Sequence, residues 1–216
     1  NLGVALFQQG KVAEAIGQLE QAVRLKPENA EARINLGLAL FQQGDVPAAI
    51  HHYEEVLRLK PDAAKAHDAL GKALLQQGRV AEAVGHLEQA LRINPGDAEA
   101  HNNLGVALFQ LGRVAEAAGH LEQALRVNPE DGAAHYNLGK ALAQLGKLRE
   151  AMRQYEQALR VNPEDVEAQN DLAWVLAASA DASVRDGARA VKLAEEANRL
   201  TGSKDPLILN TLAAAY

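Results

Sequence analysis

Histidine has the widest chemical reach of any side chain at neutral pH, and the chain carries seven. His67, His101 and His135 recur 34 residues apart, and so do His52, His86 and His120. A histidine becomes a general base or part of a nucleophilic pair only beside a group it can activate or that orients its ring. The chain has no cysteine, and its serines, Ser179, Ser183 and Ser203, fall in one short stretch. Copies at one position are expected about one helix-packing distance apart, roughly 10 Å, with no second ligand at i, i+4 to close a metal shell. These histidines therefore read as packing or partly solvated residues. The glycines are single, with no run that would cradle a phosphate. No catalytic residue, metal or cofactor is expected, and the chain is read as no enzyme.

The side chains suited to binding are the amides. Asn1, Asn35, Ala69, Asn103, Asn137 and Asp171 form one series at the 34-residue spacing, and Gln8, Gln42, Gln76, Gln110 and Gln144 form another. An amide both donates and accepts, so a row of them can pair with the backbone of an extended peptide of any sequence. The same rows could instead hydrogen-bond between adjacent helices, and the residue types leave both readings open. Each hydrogen bond nets only about 1 kcal/mol, while ordering a peptide costs several, so apolar anchors are needed. Ile34, Leu38, Phe41, Val106, Phe109, Tyr136 and Trp174 are the candidates. Phe41 and Phe109 border the expected core. Trp174, the only tryptophan, stands where other copies have Val4, Leu38, Lys72, Val106 and Lys140.

The period that aligns these residues defines the elements that carry them. Pro27, Pro61, Pro95, Pro129 and Pro163 keep the 34-residue spacing, as do Gly10, Gly44, Gly78, Gly112 and Gly146. Two further series are Gly3, Gly37, Gly71, Gly105 and Gly139, and Ala15, Ala49, Ala83, Ala117 and Ala151. Within each module, residues such as Leu36, Ala39 and Leu40 follow the i, i+3, i+4 spacing of an amphipathic helix. Gly44 suits a left-handed stop, and Asp45 can cap the next helix. That second helix ends before a proline. Small residues in the middle series let the two helices approach closely, with Gly37, Gly71 and Gly105 expected to face Ala49, Ala83 and Ala117. One hairpin cannot cover its own apolar face, so neighbours stack and share a core.

The chain is thus read as all-α, an α-solenoid of tandem antiparallel helical hairpins. Residues 1–29 form a partial repeat, 30–63, 64–97, 98–131 and 132–165 are full repeats, 166–204 is a repeat with an insertion, and 205–216 is a terminal helix. On the first helix of each module, residues opposite the core stripe face away from the second helix. The insertion of about five residues follows Ser179, where Asp181 or Ser183 is expected to cap a longer second helix ending near Gly202. It reads as an elongated module that helps close the stack, with a functional loop as the alternative.

The module 98–131 places His101, Leu104, Gly105, Leu108, Ala117, Leu121, Ala124 and Pro129 in the pattern of the tetratricopeptide repeat, which the chain resembles over nearly its whole length. The resemblance implies a right-handed superhelix whose first helices line a concave groove. It places Asn35, Leu38, Gln42, Lys72, Gln76, Asn103, Val106, Gln110, Tyr136, Asn137, Lys140, Gln144, Asp171 and Trp174 on the groove wall. An asparagine ladder there also resembles the repeat region of O-linked N-acetylglucosamine transferases. Lys65, Lys72, Asn103 and Lys140 supply parts of the family's clamp for a peptide carboxylate. Asp68, Ala69 and Ala133 depart from that clamp.

Net charge is -6, with basic residues spread over both helices, which argues against nucleic acid as a partner. No apolar run approaches a membrane span, so no membrane contact is expected within these residues. The chain begins without Met and reads as a piece of a longer protein. Compartment stays open, with the cytoplasm favoured. The expected partner is a protein or an extended peptide segment. The alternatives are the substrate-recruiting region of a larger enzyme such as a glycosyltransferase, and a module that associates weakly end to end. The last would use Leu207 and Ile208, on the far side of a terminal helix that packs inward through Leu209 and Leu212 and ends at Tyr216.

Overall fold

The computed structural model describes residues 2–179, 181–182, 184–202 and 206–215, the side chains of residues 207, 209, 212 and 215 excepted. Asn1, Ser183, Ser203, Leu207, Leu209, Leu212 and Tyr216, invoked above, therefore lie outside the described residues or side chains. All regular structure among the described residues is helical, as expected, and the helices follow one another as tandem hairpins.

The chain divides into two compact units, Asn1–Leu111 and Gly112–Tyr216. The first holds α1 (Leu2–Gln8), α2 (Val12–Leu25), α3 (Ala30–Gln43), α4 (Val46–Leu59), α5 (Ala64–Gln76), α6 (Val80–Ile93) and α7 (Ala98–Gln110). The second holds α8 (Val114–Val127), α9 (Gly132–Gln144), α10 (Leu148–Val161), α11 (Val166–Ala178), α12 (Gly187–Leu200) and α13 (Pro206–Ala215). Within each unit every helix packs on the next, and in the first unit α3 also touches α5, and α5 touches α7.

The breaks between helices follow local chemistry. Asn29, Asp97, Asp131 and Asp165 each accept a hydrogen bond from the backbone N–H three residues on and so start α3, α7, α9 and α11. Gly44 ends α3 at φ 94°, a left-handed conformation that costs a side chain energy, and Asp45 then caps α4 through the Ala48 N–H.

Leu36, Ala39 and Leu40 are buried, as are Leu70, Ala73 and Leu74. The close approach between paired helices also takes in a large side chain that the spacing did not name. A Cβ at Gly71 would sit 2.6 Å from Leu87 Cγ, and one at Gly139 would sit 2.6 Å from Tyr155 Cε1. The glycine makes room for the large side chain four residues beyond the alanine, a leucine or tyrosine, and at Gly3 the Ala15 carbonyl oxygen is also near, at 3.4 Å.

The irregular module corrects two expectations. Its second helix, α12, is capped by Asp186, whose side chain accepts from Arg189 N–H, and not by Asp181. At 14 residues it is no longer than α10. The inserted residues pack back instead: Val184 is buried, Asp186 N–H donates to Leu176 O, and Arg149 pairs with Asp181 at 2.9 Å. At the C-terminal end α13 packs on α11 and α12, and Ile208 is 1% exposed. Ile208 belongs to the core of this unit and offers no surface for end-to-end association.

Candidate functional site

The histidines explain themselves once the helices are in place. His67, His101 and His135 each point an Nε2 at the carbonyl of the preceding turn proline, Pro61, Pro95 and Pro129, at 3.0, 3.1 and 3.0 Å. Arg33 Nε donates to Pro27 O at 2.6 Å and Gln169 Nε2 donates to Pro163 O at 2.7 Å. A donor at the fourth position of each module thus satisfies a carbonyl that helix geometry leaves without a partner.

The two histidine series also meet. His67 Nδ1 lies 3.0 Å from His86 Nδ1 on the facing helix, and His135 Nδ1 lies 2.6 Å from Gln154 Oε1. Counting copies along one series, as sequence reasoning did, misses a pair formed between series 19 residues apart. Burial, and next the neighbouring His67, hold the His86 pKa below its usual value. No cluster of three or more metal-ligating side chains exists among the described residues.

The amide series has a more specific geometry. Asn103 is 7% exposed, and its Nδ2 donates to Asp68 Oδ1 at 2.9 Å. In the second unit Tyr136 OH donates to Asp171 Oδ2 at 3.3 Å across the same interval of 35 residues. The fifth position of one module therefore meets the sixth of the next, joining α5 to α7 and α9 to α11. Burial raises the Asp171 pKa, opposed by Lys140 and Tyr136. Lys140 Nζ also stands 5.4 Å from the centre of the Tyr136 ring.

Asn35, Val106, Asn137 and Lys140 are half-buried, while Gln42, Gln76, Gln110 and Gln144 lie at or near the ends of their helices. Leu38 is 37% exposed and Trp174 49%.

Within the first unit these faces enclose a pocket of about 220 Å³. Ile34, Leu38 and Phe41 of α3 and Tyr53 of α4 make its apolar side. Lys65, Asp68, Ala69 and Lys72 of α5, with Asp97 and Glu99, complete the lining. Lys72 Nζ is 2.9 Å from Glu99 Oε1. Asp68 is 9% exposed, and burial lifts its pKa from 3.8 to about 6; the Asn103 hydrogen bond opposes that rise and Glu99 and Asp97 add to it. The sequence placed Leu38 and Lys72 on this wall. It did not single out Asp68 as a binding residue, and the available signal was the offset of 35 that sets a carboxylate opposite Asn103.

Helix pairs of this length, stacked through small residues and punctuated by one glycine and one proline per module, define a helical-repeat protein. Residues 1–67 and 69–121 match one tetratricopeptide repeat profile and residues 108–174 match another, so the chain belongs to the tetratricopeptide repeat family. No curated protein matches its sequence. Among solved structures it is similar to a chain of the APC/C hetero-tetramer Cut9–Hcn1, with TM-score 0.88 and 21% identity, over 99% of this chain and 41% of that one. It is also similar to YrrB, a tetratricopeptide repeat protein with an unusual peptide-binding site, with TM-score 0.67 and 24% identity over 89% and 96%. A thermophilic tetratricopeptide repeat protein of Thermus thermophilus gives TM-score 0.66 and 27% identity over 81% and 95%. The first two likenesses concern the fold alone.

Proposed function

We propose that the chain is a non-catalytic scaffold that binds a protein or an extended peptide segment along the exposed face of its first helices. The observation that carries this reading is Trp174, which stands 49% exposed on α11 between the buried Ala173 and Val175. A large aromatic surface left in water costs solvation that a ligand relieves, and tryptophan is prominent among the residues that dominate binding energy. Leu38 has the corresponding place in the first unit. Asn35, Gln42, Lys72, Gln76, Val106 and Gln110 complete the contact face of the first unit, and Asn137, Lys140 and Gln144 that of the second. Asn103, Tyr136 and Asp171 act by holding its helices in register. The peptide-binding site of YrrB and the assembly of Cut9 with Hcn1 are precedents for such use of this fold.

The test is selection of peptides from a random displayed library on the immobilised chain, followed by titration of a recovered peptide against Leu38→Ala combined with Trp174→Ala. Affinity is expected to fall at least about tenfold, or ~1.4 kcal/mol, with the thermal midpoint nearly unchanged. Equal affinity for the parent and the double variant would move the site off this face.

A further inference from the structure

We infer that the pocket between α3, α5 and the start of α7 receives a long basic side chain, lysine or arginine, from the bound segment. This inference rests on the peptide-binding reading above.

The pocket is amphipathic in a specific order. Its wall of Ile34, Leu38 and Phe41 is apolar, and opposite that wall stands the buried carboxylate of Asp68. One oxygen of that carboxylate is held by Asn103 Nδ2 at 2.9 Å. A carboxylate that lines a largely apolar pocket is better served by a charged donor than by water alone, because hydrogen bonds to charged groups are the stronger ones. Two cations also line the pocket, Lys65 and Lys72, and Lys72 is engaged by Glu99 at 2.9 Å. Asp97 and Glu99 add negative charge to the lining.

A lysine or arginine fits this order, because its methylene stem covers apolar surface while its head carries the charge onward to a partner. An acidic side chain would meet three carboxylates against two lysines, one of them already paired. A purely aliphatic one would seal Asp68 from water without giving it a donor. The pocket thus selects by rejection as well as by attraction.

The experiment uses the whole chain labelled with nitrogen-15 and two small probes, N-acetylarginine N-methylamide and its neutral isostere N-acetylcitrulline N-methylamide. The arginine probe is expected to shift the amides of Leu38, Ala69 and Lys72 saturably and to bind at least about tenfold tighter than the citrulline probe, the scale of a charged hydrogen bond. Asp68→Asn, which keeps an acceptor for Asn103, should erase that difference. Equal binding of the two probes, or no shift at those amides, overturns the inference. The library selection separates this outcome from the broader reading. Recovered peptides that lack an enriched basic residue yet lose affinity in the Leu38 and Trp174 double variant overturn the pocket assignment and leave the peptide face intact. A localised, charge-dependent arginine response with no selected peptide on that face supports the pocket and overturns the peptide reading.

Discussion

Asp68 shows how one residue turns burial into a dependence on pH. Because its folded pKa is raised from 3.8 to about 6, the folded chain retains a proton that the unfolded chain has released. Its contribution is therefore fully present below the unfolded value and is lost as pH rises through about 6, a decline of up to about 3 kcal/mol. Asp68→Asn removes this decline and is expected to be more stable than the parent near pH 7 but not near pH 4, as denaturant titration at both values would show. The glycines permit a paired test at the same scale. Gly71→Ala drives a methyl into Leu87 and should cost about 1 to 3 kcal/mol, whereas Gly85→Ala, which meets nothing within 4 Å, should gain up to about 1 kcal/mol. Thermal unfolding of both variants checks the sign. The spacing made Gly71 legible as a point of close approach. That Leu87 fills the space was not legible, because helix phase alone does not say which side chain bends over its neighbour.

At the scale of helix pairs, the histidines join elements. His67 donates through Nε2 to Pro61 O, so in the neutral ring Nδ1 is bare and accepts a hydrogen from His86 Nδ1. A proton added to the His86 ring would place its charge at a half-buried position against the His67 ring. Burial and His67 hold the His86 pKa down, with Arg79 acting in the same direction and Glu54 and Glu82 against it. The sign is opposite to that of Asp68: stability from His86 is present above the unfolded value of 6.5 and is lost as pH falls through the lower folded value. His135 faces Gln154 instead, an amide that can present either a donor or an acceptor. His86→Gln is therefore expected to raise the thermal midpoint near pH 5 and leave it nearly unchanged near pH 8. An equal shift at both values would detach the pair from this pH dependence. The helices themselves were legible from leucine phase, glycine and proline. Their side-chain partners were not, since these pairs lie 19 or 35 residues apart and a strict repeat of 34 conceals them.

At the scale of the whole chain, each unit is a series of nearest-neighbour interfaces, and its stability is approximately their sum. Leu104 is 2% exposed within the first unit, so Leu104→Ala should cost about 2 to 5 kcal/mol and shift the denaturant midpoint measurably. The 34-residue period made the family and the hairpin order readable in advance. It failed after Ser179, where no second copy exists for comparison and Asp186, rather than an earlier polar residue, begins the helix. The joints between α5 and α7 and between α9 and α11 bear on how such a gene can change. An in-frame loss of residues 64–97 would preserve the repeat rhythm, yet it would bring Asn103 to the place of Ala69 beside Ile34 and discard its carboxylate partner. Modules that look like interchangeable copies thus carry local addresses, and recombination between them is constrained at the seams even where the repeat pattern is kept.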